Sequence, residues 1–238
     1  MNNQVREILE VDILFVGAGP ASLAGAIHLN NLLKSDGKEV SIAIIEKASE
    51  VGAHCLSGAI VDPRTLHELF PNLNDSDFPF EYPVNKEYMY YLTKNRKLSI
   101  PFIPKSMSHH GCHITSIGKL TRWLEQKCEQ MGIDIFAGFP GAELIFDEAE
   151  QKVVGVRTAD RGVDKEGNRK SNFEAGVDIH AKATLLGEGS RGNLTKILID
   201  KFNLMKDKNP QNWAIGVKEL WQLPEEKLTP GFVAHTLG

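Results

Sequence analysis

The chain has 238 residues, 42% of them hydrophobic and 24% charged, with a formal net charge of −4. Those are the proportions of an ordinary soluble globular protein with one large domain or a domain and a fraction, and the charge offers no electrostatic case for nucleic acid. The three cysteines, Cys55, Cys112 and Cys128, are widely spaced and odd in number. That argues against a disulfide framework or a metal knuckle and fits a reducing compartment.

Met1 to Glu10 has no apolar core and carries Glu7 and Glu10, so it is not a signal or transit peptide. No run approaches the ~20 apolar residues of a membrane span. The stretch that organises the chain follows. Val11 to Val16 is an apolar run of strand length that meets Gly17-Ala18-Gly19-Pro20-Ala21-Ser22, and Leu23, Ala26, Ile27 and Leu29 to Leu33 then recur at helical steps. A strand, a tight turn and a helix are expected. Gly17 allows the sharp turn, and Gly19 lacks a Cβ that would keep a pyrophosphate off the backbone. The helix N-terminus offers unpaired N–H groups to the phosphates. Ser22 stands where a third glycine usually lets helix and strand pack closely. A plain glycine turn after a buried strand has the same local pattern. Val40 to Ile45 is a second buried-type strand, and it ends on Glu46, an acid placed to accept bonds from ribose hydroxyls and to disfavour a 2′-phosphate.

Lys47 to Ala59 is a loop of small residues that would let backbone approach a flat ring system, and a plain glycine-rich connection has the same pattern. Cys55 has no partner cysteine nearby, which argues against a redox disulfide. Asp62-Pro63 opens a short helix through Leu66, Leu69 and Phe70, and 71–83 is a polar loop. Strands are expected at Glu87–Leu92 and Lys97–Ile100. Pro101 to Ser108 is apolar but broken by two prolines, so it is either a buried irregular loop or a hydrophobic contact surface.

His109, His110 and His113 cluster without completing a ligand set, and no metal site is assigned. An amphipathic helix over Ile117–Met131 puts Leu120, Trp123, Leu124, Cys128 and Met131 on one face and ends at Gly132. Ile133–Ala137 is a short strand. Ala142–Phe146, Val153–Thr158 and Phe173–His180 form a meander, with a polar tip over 160–172. A second strand, Ala183–Leu186, runs into Gly187-Glu188-Gly189 and a helix over Asn193–Phe202. Here Glu188 could accept a ribityl hydroxyl, and the backbone at Gly189 could lie against a pyrophosphate. An NAD-only enzyme has no use for this second element, whereas an extended FAD needs it, so FAD is the favoured ligand. Trp213–Trp221 is expected as a final strand, and the end at Gly238 looks like a truncation. No side chain stands out as an acid, base or nucleophile, which suits chemistry carried by a cofactor.

These residues resemble the electron-transfer flavoprotein–ubiquinone oxidoreductases. The likeness rests on Gly17 to Ala21, on Gly52-Ala53-His54 with Leu56 to Ala59, and on Asp62-Pro63-Arg64. It continues through the Pro101-to-Gly111 loop, Gly187-Glu188-Gly189, Lys218 to Trp221 and His235-Thr236. It covers nearly the whole chain.

The resemblance implies an α/β fold: a glutathione-reductase-like FAD-binding Rossmann domain (about 8–85 and 112–200). Interleaved with it would be an incomplete α+β quinone or substrate domain (about 86–111 and 203–238). It implies FAD held by Gly17, Ala18, Gly19, Pro20, Ala21, Ser22, Glu46, Lys47, Ala53, His54, Ser57, Gly58, Ala142, Gly187, Glu188 and Gly189. The implied activity passes electrons from reduced electron-transfer flavoprotein to ubiquinone. The enzyme would sit monotopically on a membrane through the Pro101–Ser108 loop, at the cytoplasmic face of a bacterial inner membrane or the matrix face of the mitochondrial one. The family's 4Fe–4S cluster draws on cysteines absent from this chain. Ser22 and Ser116 depart from the family pattern, the latter at a position where arginine is usual. A flavin reductase of the geranylgeranyl reductase type and a non-catalytic flavin-binding remnant remain alternatives.

Overall fold

The computed structural model describes residues 6–149 and 151–238. Two compact units alternate along the chain: one takes the chain up to Cys55 together with 121–214, the other 56–120 together with 215–238. Segments 56–85 and 112–120, grouped with the flavin domain in the sequence reading, therefore fall in the second unit.

The first unit is built on β1 (Ile8–Val16), α1 (Pro20–Ser35) and β2 (Ile42–Glu46). The second opens with β3 (Gly58–Val61), α2 (Arg64–Leu69), β4 (Phe80–Pro83), β5 (Lys86–Leu92), β6 (Lys97–Ile100) and β7 (His113–Ser116). The boundary falls in the first turn of α3 (Ile117–Gln130). The first unit then resumes with β8 (Asp134–Ala137), β9 (Gly141–Phe146), β10 (Val153–Thr158), β11 (Arg161–Val163), β12 (Arg169–Glu174), β13 (Asp178–Leu186) and α4 (Asn193–Phe202). Strand β14 (Phe232–Leu237) belongs to the second unit.

Six strands of the first unit form one sheet in the order β8-β2-β1-β13-β10-β9, and the first four run parallel. This is a Rossmann-type arrangement. Parallel central strands are covered on both faces, so they are apolar at every position rather than at alternate ones. Leu14, Phe15 and Val16 of β1 and Ile42 to Ile45 of β2 are all buried. One face packs Leu14, Val16, Ala43, Ile45, Val156, Ile179 and Ala181 around Leu194 of α4. Elsewhere the Cys128 thiol of α3 meets the Leu23 carbonyl of α1 at 3.7 Å, and burial pushes that thiol up to about 12. Arg157 of β10 makes a bidentate pair with Asp178 of β13 at 2.7 and 2.8 Å, which holds the Asp178 carboxyl below its ordinary range.

The second unit carries two three-stranded sheets, β3-β7-β4 and β14-β5-β6. Asp62 caps α2 by accepting the Arg64 N–H at 3.1 Å. Phe80 stacks on His113 at 4.4 Å, and Phe78, Leu66 and Leu69 are buried.

Several expectations change. Trp213–Trp221 is not a strand: Ile215, Val217 and Leu220 are more than 90% or close to 90% exposed, with no strand beside them among the described residues. The last strand is β14, which pairs in parallel with β5. Phe173–His180 is no meander strand. It is split between β12, which forms a hairpin with β11 in the supposed polar tip, and β13, which runs on to Leu186 and lies beside β1 at the centre of the sheet. The polar loop over 71–83 contains β4, β3 begins inside the loop expected over Lys47–Ala59, and β7 lies where no element was assigned. The Pro101–Ser108 segment is mostly exposed here, with Phe102 at 66%, and so is not a buried loop of this structure.

Candidate functional site

Because β1 and β13 are parallel neighbours in register, Val16 lies opposite Leu186, and the two glycine turns leave the sheet side by side. Backbone bonds fix this. The Gly17 N–H donates to the Ile45 carbonyl at 2.8 Å, and the Gly187 N–H donates to the Val16 carbonyl at 2.9 Å. Gly17 has φ +97°, and a Cβ there would lie 2.6 Å from the Gly187 oxygen. Both the backbone conformation and the close approach therefore demand glycine. A Cβ on Gly187 would in turn lie 2.0 Å from Ser22 Oγ. Ser22 is buried against that second turn, and its hydroxyl finds no hydrogen-bond partner among the described residues.

The turns border a cleft of about 380 Å³, within the usual range for small-molecule sites. Gly17, Ala18, Gly19 and Pro20 line it from the first turn, Glu46 and Lys47 from the end of β2, His54 from the following loop, and Gly187, Glu188 and Gly189 from the second turn. A Cβ on Gly19 would touch nothing within 4 Å, so backbone is open to the cleft there. Gly19 is also the N-cap of α1, with Pro20 in the first turn, and no side chain caps that helix. Its first amides lack intrahelical partners, and the helix end carries a partial positive charge.

The two acids serve backbone amides first. The Glu46 carboxylate accepts the Ala18 N–H and the Ala48 N–H, both at 2.9 Å. A carboxylate has about four acceptor positions, which leaves Glu46 room for two hydroxyls. Glu188 has no such room. Its Oε1 accepts the N–H groups of Asn193 and Leu194 at 3.0 and 3.2 Å, and its Oε2 accepts the Thr195 N–H and hydroxyl at 2.7 and 2.8 Å. The residue expected to hold a ribityl hydroxyl is here the cap of α4.

Ala21 and Ala53 are exposed and Ala142 faces outward on β9, while its neighbours Pro140 and Gly141 line the cleft. Ser57 and Gly58 belong to the second unit, where the Ser57 carbonyl accepts the Ile117 N–H and Gly58 pairs with Ser116. The sequence reading missed Arg191, which lines the cleft two residues after Gly189 and lies 5.5 Å from the Trp213 ring. A cation directly after an acid-glycine turn was the available signal. Cys55 is also a lining residue, with Thr121 Oγ1 3.6 Å from its sulfur.

No family model matches the chain. A probable electron transfer flavoprotein-ubiquinone oxidoreductase of Acinetobacter baylyi is 43% identical over 237 residues, 98% of this chain and 41% of that protein. The mitochondrial electron transfer flavoprotein-ubiquinone oxidoreductase of Arabidopsis thaliana is 42% identical over 236 residues, 98% of this chain and 37% of that protein. The chain thus spans about two-fifths of the length of these relatives. Among solved structures, the flavin-dependent brominase Bmp2 shares the fold with a TM-score of 0.53, over 82% of this chain and 41% of that chain, at 14% identity. At such identity the likeness concerns the fold alone, a Rossmann-type flavoprotein α/β fold. Over 98% of its length, the chain is a homologue of the N-terminal portion of electron transfer flavoprotein-ubiquinone oxidoreductases.

Proposed function

We propose that the chain binds FAD noncovalently in the cleft of its first unit and is the flavin-bearing part of an electron-transfer flavoprotein:ubiquinone oxidoreductase. The observation that carries this reading is the side-by-side placement of two glycine turns at the ends of β1 and β13, with Glu46 at the end of β2. The fit is physical. The uncapped amides of α1 and the open face of Gly19 suit a pyrophosphate, and the spare acceptors of Glu46 suit a ribose. Arg191 adds a cation at the rim, and Gly189 offers bare backbone. The flavin, when bound, supplies the electron-transfer chemistry; the chain's residues bind it and orient it.

In this proposal reduced electron-transfer flavoprotein is the donor and ubiquinone the onward acceptor. The 4Fe–4S cluster that the resemblance implies is assigned no residue here. The exposed Phe102, with Leu98 of the adjoining β6, supports peripheral contact with the cytoplasmic or matrix face of an inner membrane through the 101–108 segment. No helix among the described residues is long and apolar enough to cross a membrane.

The test begins with flavin. The purified chain supplied with FAD should retain one FAD per chain, released on denaturation; failure to retain any overturns the reading. Anaerobic mixing with reduced electron-transfer flavoprotein should bleach the bound flavin, and a soluble ubiquinone analogue should restore its colour. A flavin that stays oxidised would remove the donor assignment and leave the binding site intact. Flotation with anionic liposomes should be weakened by Phe102→Asp.

A further inference from the structure

The three-histidine cluster noticed in the sequence does not assemble, but one of its members meets two distant residues in the second unit. Glu87 of β5, His109 of the turn before β7 and His235 of β14 bring one ligand atom each within 4.8 Å of one another. Both imidazoles aim at the same carboxylate oxygen: His109 Nδ1 lies 2.6 Å and His235 Nε2 3.1 Å from Glu87 Oε1. The other carboxylate oxygen accepts the backbone N–H of His109 at 3.1 Å, which fixes the plane of the group. The two rings stack with centroids 5.4 Å apart. The side chains are 11, 29 and 17% exposed for Glu87, His109 and His235, so the cluster is held by its surroundings yet reachable by an ion. Among the described residues no lysine or arginine pairs with Glu87; its ion-pair partners are the two imidazoles.

We propose that Glu87, His109 and His235 form a three-ligand site for a divalent transition-metal ion of the zinc and cobalt(II) class, and that the ion clips β14 and the His109 turn onto β5. Two nitrogens and one oxygen suit such an ion, whereas magnesium and calcium call for oxygen ligands. Bonds of about 2.0–2.2 Å around a tetrahedral ion put ligand atoms roughly 3.3 Å apart. The two nitrogen–oxygen spacings need to open by less than about 1 Å to reach that geometry, and the two nitrogens, within 4.8 Å of one another, to close by no more than about 1.5 Å. Each neutral ring shifts its proton to the far nitrogen, freeing His109 Nδ1 and His235 Nε2 as ligands. Water completes the coordination. The backbone bond to the second carboxylate oxygen is the kind of outer contact that orients a metal ligand. This site is independent of the flavin proposal.

The test uses the whole chain freed of metal with a chelator. Zinc chloride followed by calorimetry should give one equivalent bound with Kd below on the order of 10 μM. Glu87→Gln and His235→Asn should each weaken that by on the order of tenfold or more, while His67→Asn and His110→Asn leave it unchanged. Zinc should raise the thermal midpoint of the unaltered chain and not of the two ligand variants. Should a ligand variant fail to fold, X-ray absorption of the zinc complex of the unaltered chain decides. Two imidazoles and no sulfur support the site; a thiolate ligand or a single imidazole overturns it. So does the absence of binding tighter than about 1 mM, equal affinity for magnesium, or undiminished affinity in both folded ligand variants.

Discussion

The two glycine turns share one local plan, a parallel strand running through glycines into a helix N-terminus, but their helix ends differ electrostatically. At the first turn the amides of α1 have no side-chain cap. At the second, Glu188 places a full carboxylate on the first amides of α4 and adds a bond from the Thr195 hydroxyl. One helix end is open to an anion; the other already holds its own. In the proposed FAD complex the pyrophosphate would therefore meet the first turn, and the second would contribute backbone and shape. Likeness of motif is thus not likeness of role, because a helix terminus binds an external anion only while its amides are free.

The sharpest way to break this comparison is Gly19→Val. The added side chain enters open space, so the fold should stay intact by circular dichroism, whereas FAD affinity should fall by on the order of a hundredfold, about 2.7 kcal/mol. Retained flavin in a folded variant would refute the first turn as the phosphate site. Gly17→Val should instead prevent folding, since it strains a positive φ and drives a side chain into the Gly187 carbonyl.

Next in size, Glu46→Ala removes spare acceptors facing the cleft. It should weaken FAD by about 1–3 kcal/mol in a titration of the flavin-free chain. An unchanged dissociation constant would confine Glu46 to its bonds with Ala18 and Ala48.

Glu188→Ala sharpens the contrast from the other side. Loss of a cap costs about 0.5–2 kcal/mol, so the flavin-free chain should melt lower by roughly 1–8 °C. Its effect on FAD affinity should be smaller than that of Glu46→Ala. The reverse ranking would mean that the carboxylate leaves the helix to serve the ligand.

Smallest is Ser22→Ala, which deletes a buried hydroxyl without a partner among the described residues and should stabilise the chain by about 1 kcal/mol. A lower melting temperature would mean that the hydroxyl is satisfied in solution.

The parts of this site that were legible in the sequence are local ones. Val11 to Ser22 and the strand ending at Glu46 declare themselves because a buried parallel strand, a glycine turn and an acid at a strand end each leave a short pattern. Glu188 was legible as a residue but not as a cap. Its bonds reach forward across residues 189–192 to positions 193–195, and an expected helix over Asn193–Phe202 does not by itself say which side chain caps it. The place of β13 was hidden for another reason. Its partner β1 lies some 170 residues earlier, as in the pairing of Ile8 with Asp178, and β13, with Asp178, His180 and Lys182 at alternate positions, lacks the continuous apolar run that marks a covered parallel strand. At 213–221 apolar content alone suggested a strand, but a strand also needs a neighbour, and none lies beside it among the described residues. The cluster of Glu87, His109 and His235 was out of reach for the same reason, since each residue comes from a different element.

The parallel pairing of β14 with β5 sets a timetable. His235 meets Glu87 across 148 residues, a span that includes α3, α4 and most strands of the six-stranded sheet. On a ribosome adding about 5–20 residues per second, β5 therefore waits roughly 7–30 s for its partner. Throughout that interval one edge of β5 is unpaired beside Tyr88 and Tyr91, both large and still partly exposed in the finished structure. An unpaired edge of this kind invites strand addition from another chain. Nascent-chain assays should find the β5–β6 hairpin susceptible to protease and to chaperone capture until Leu237 has cleared the exit tunnel, and protected soon afterwards.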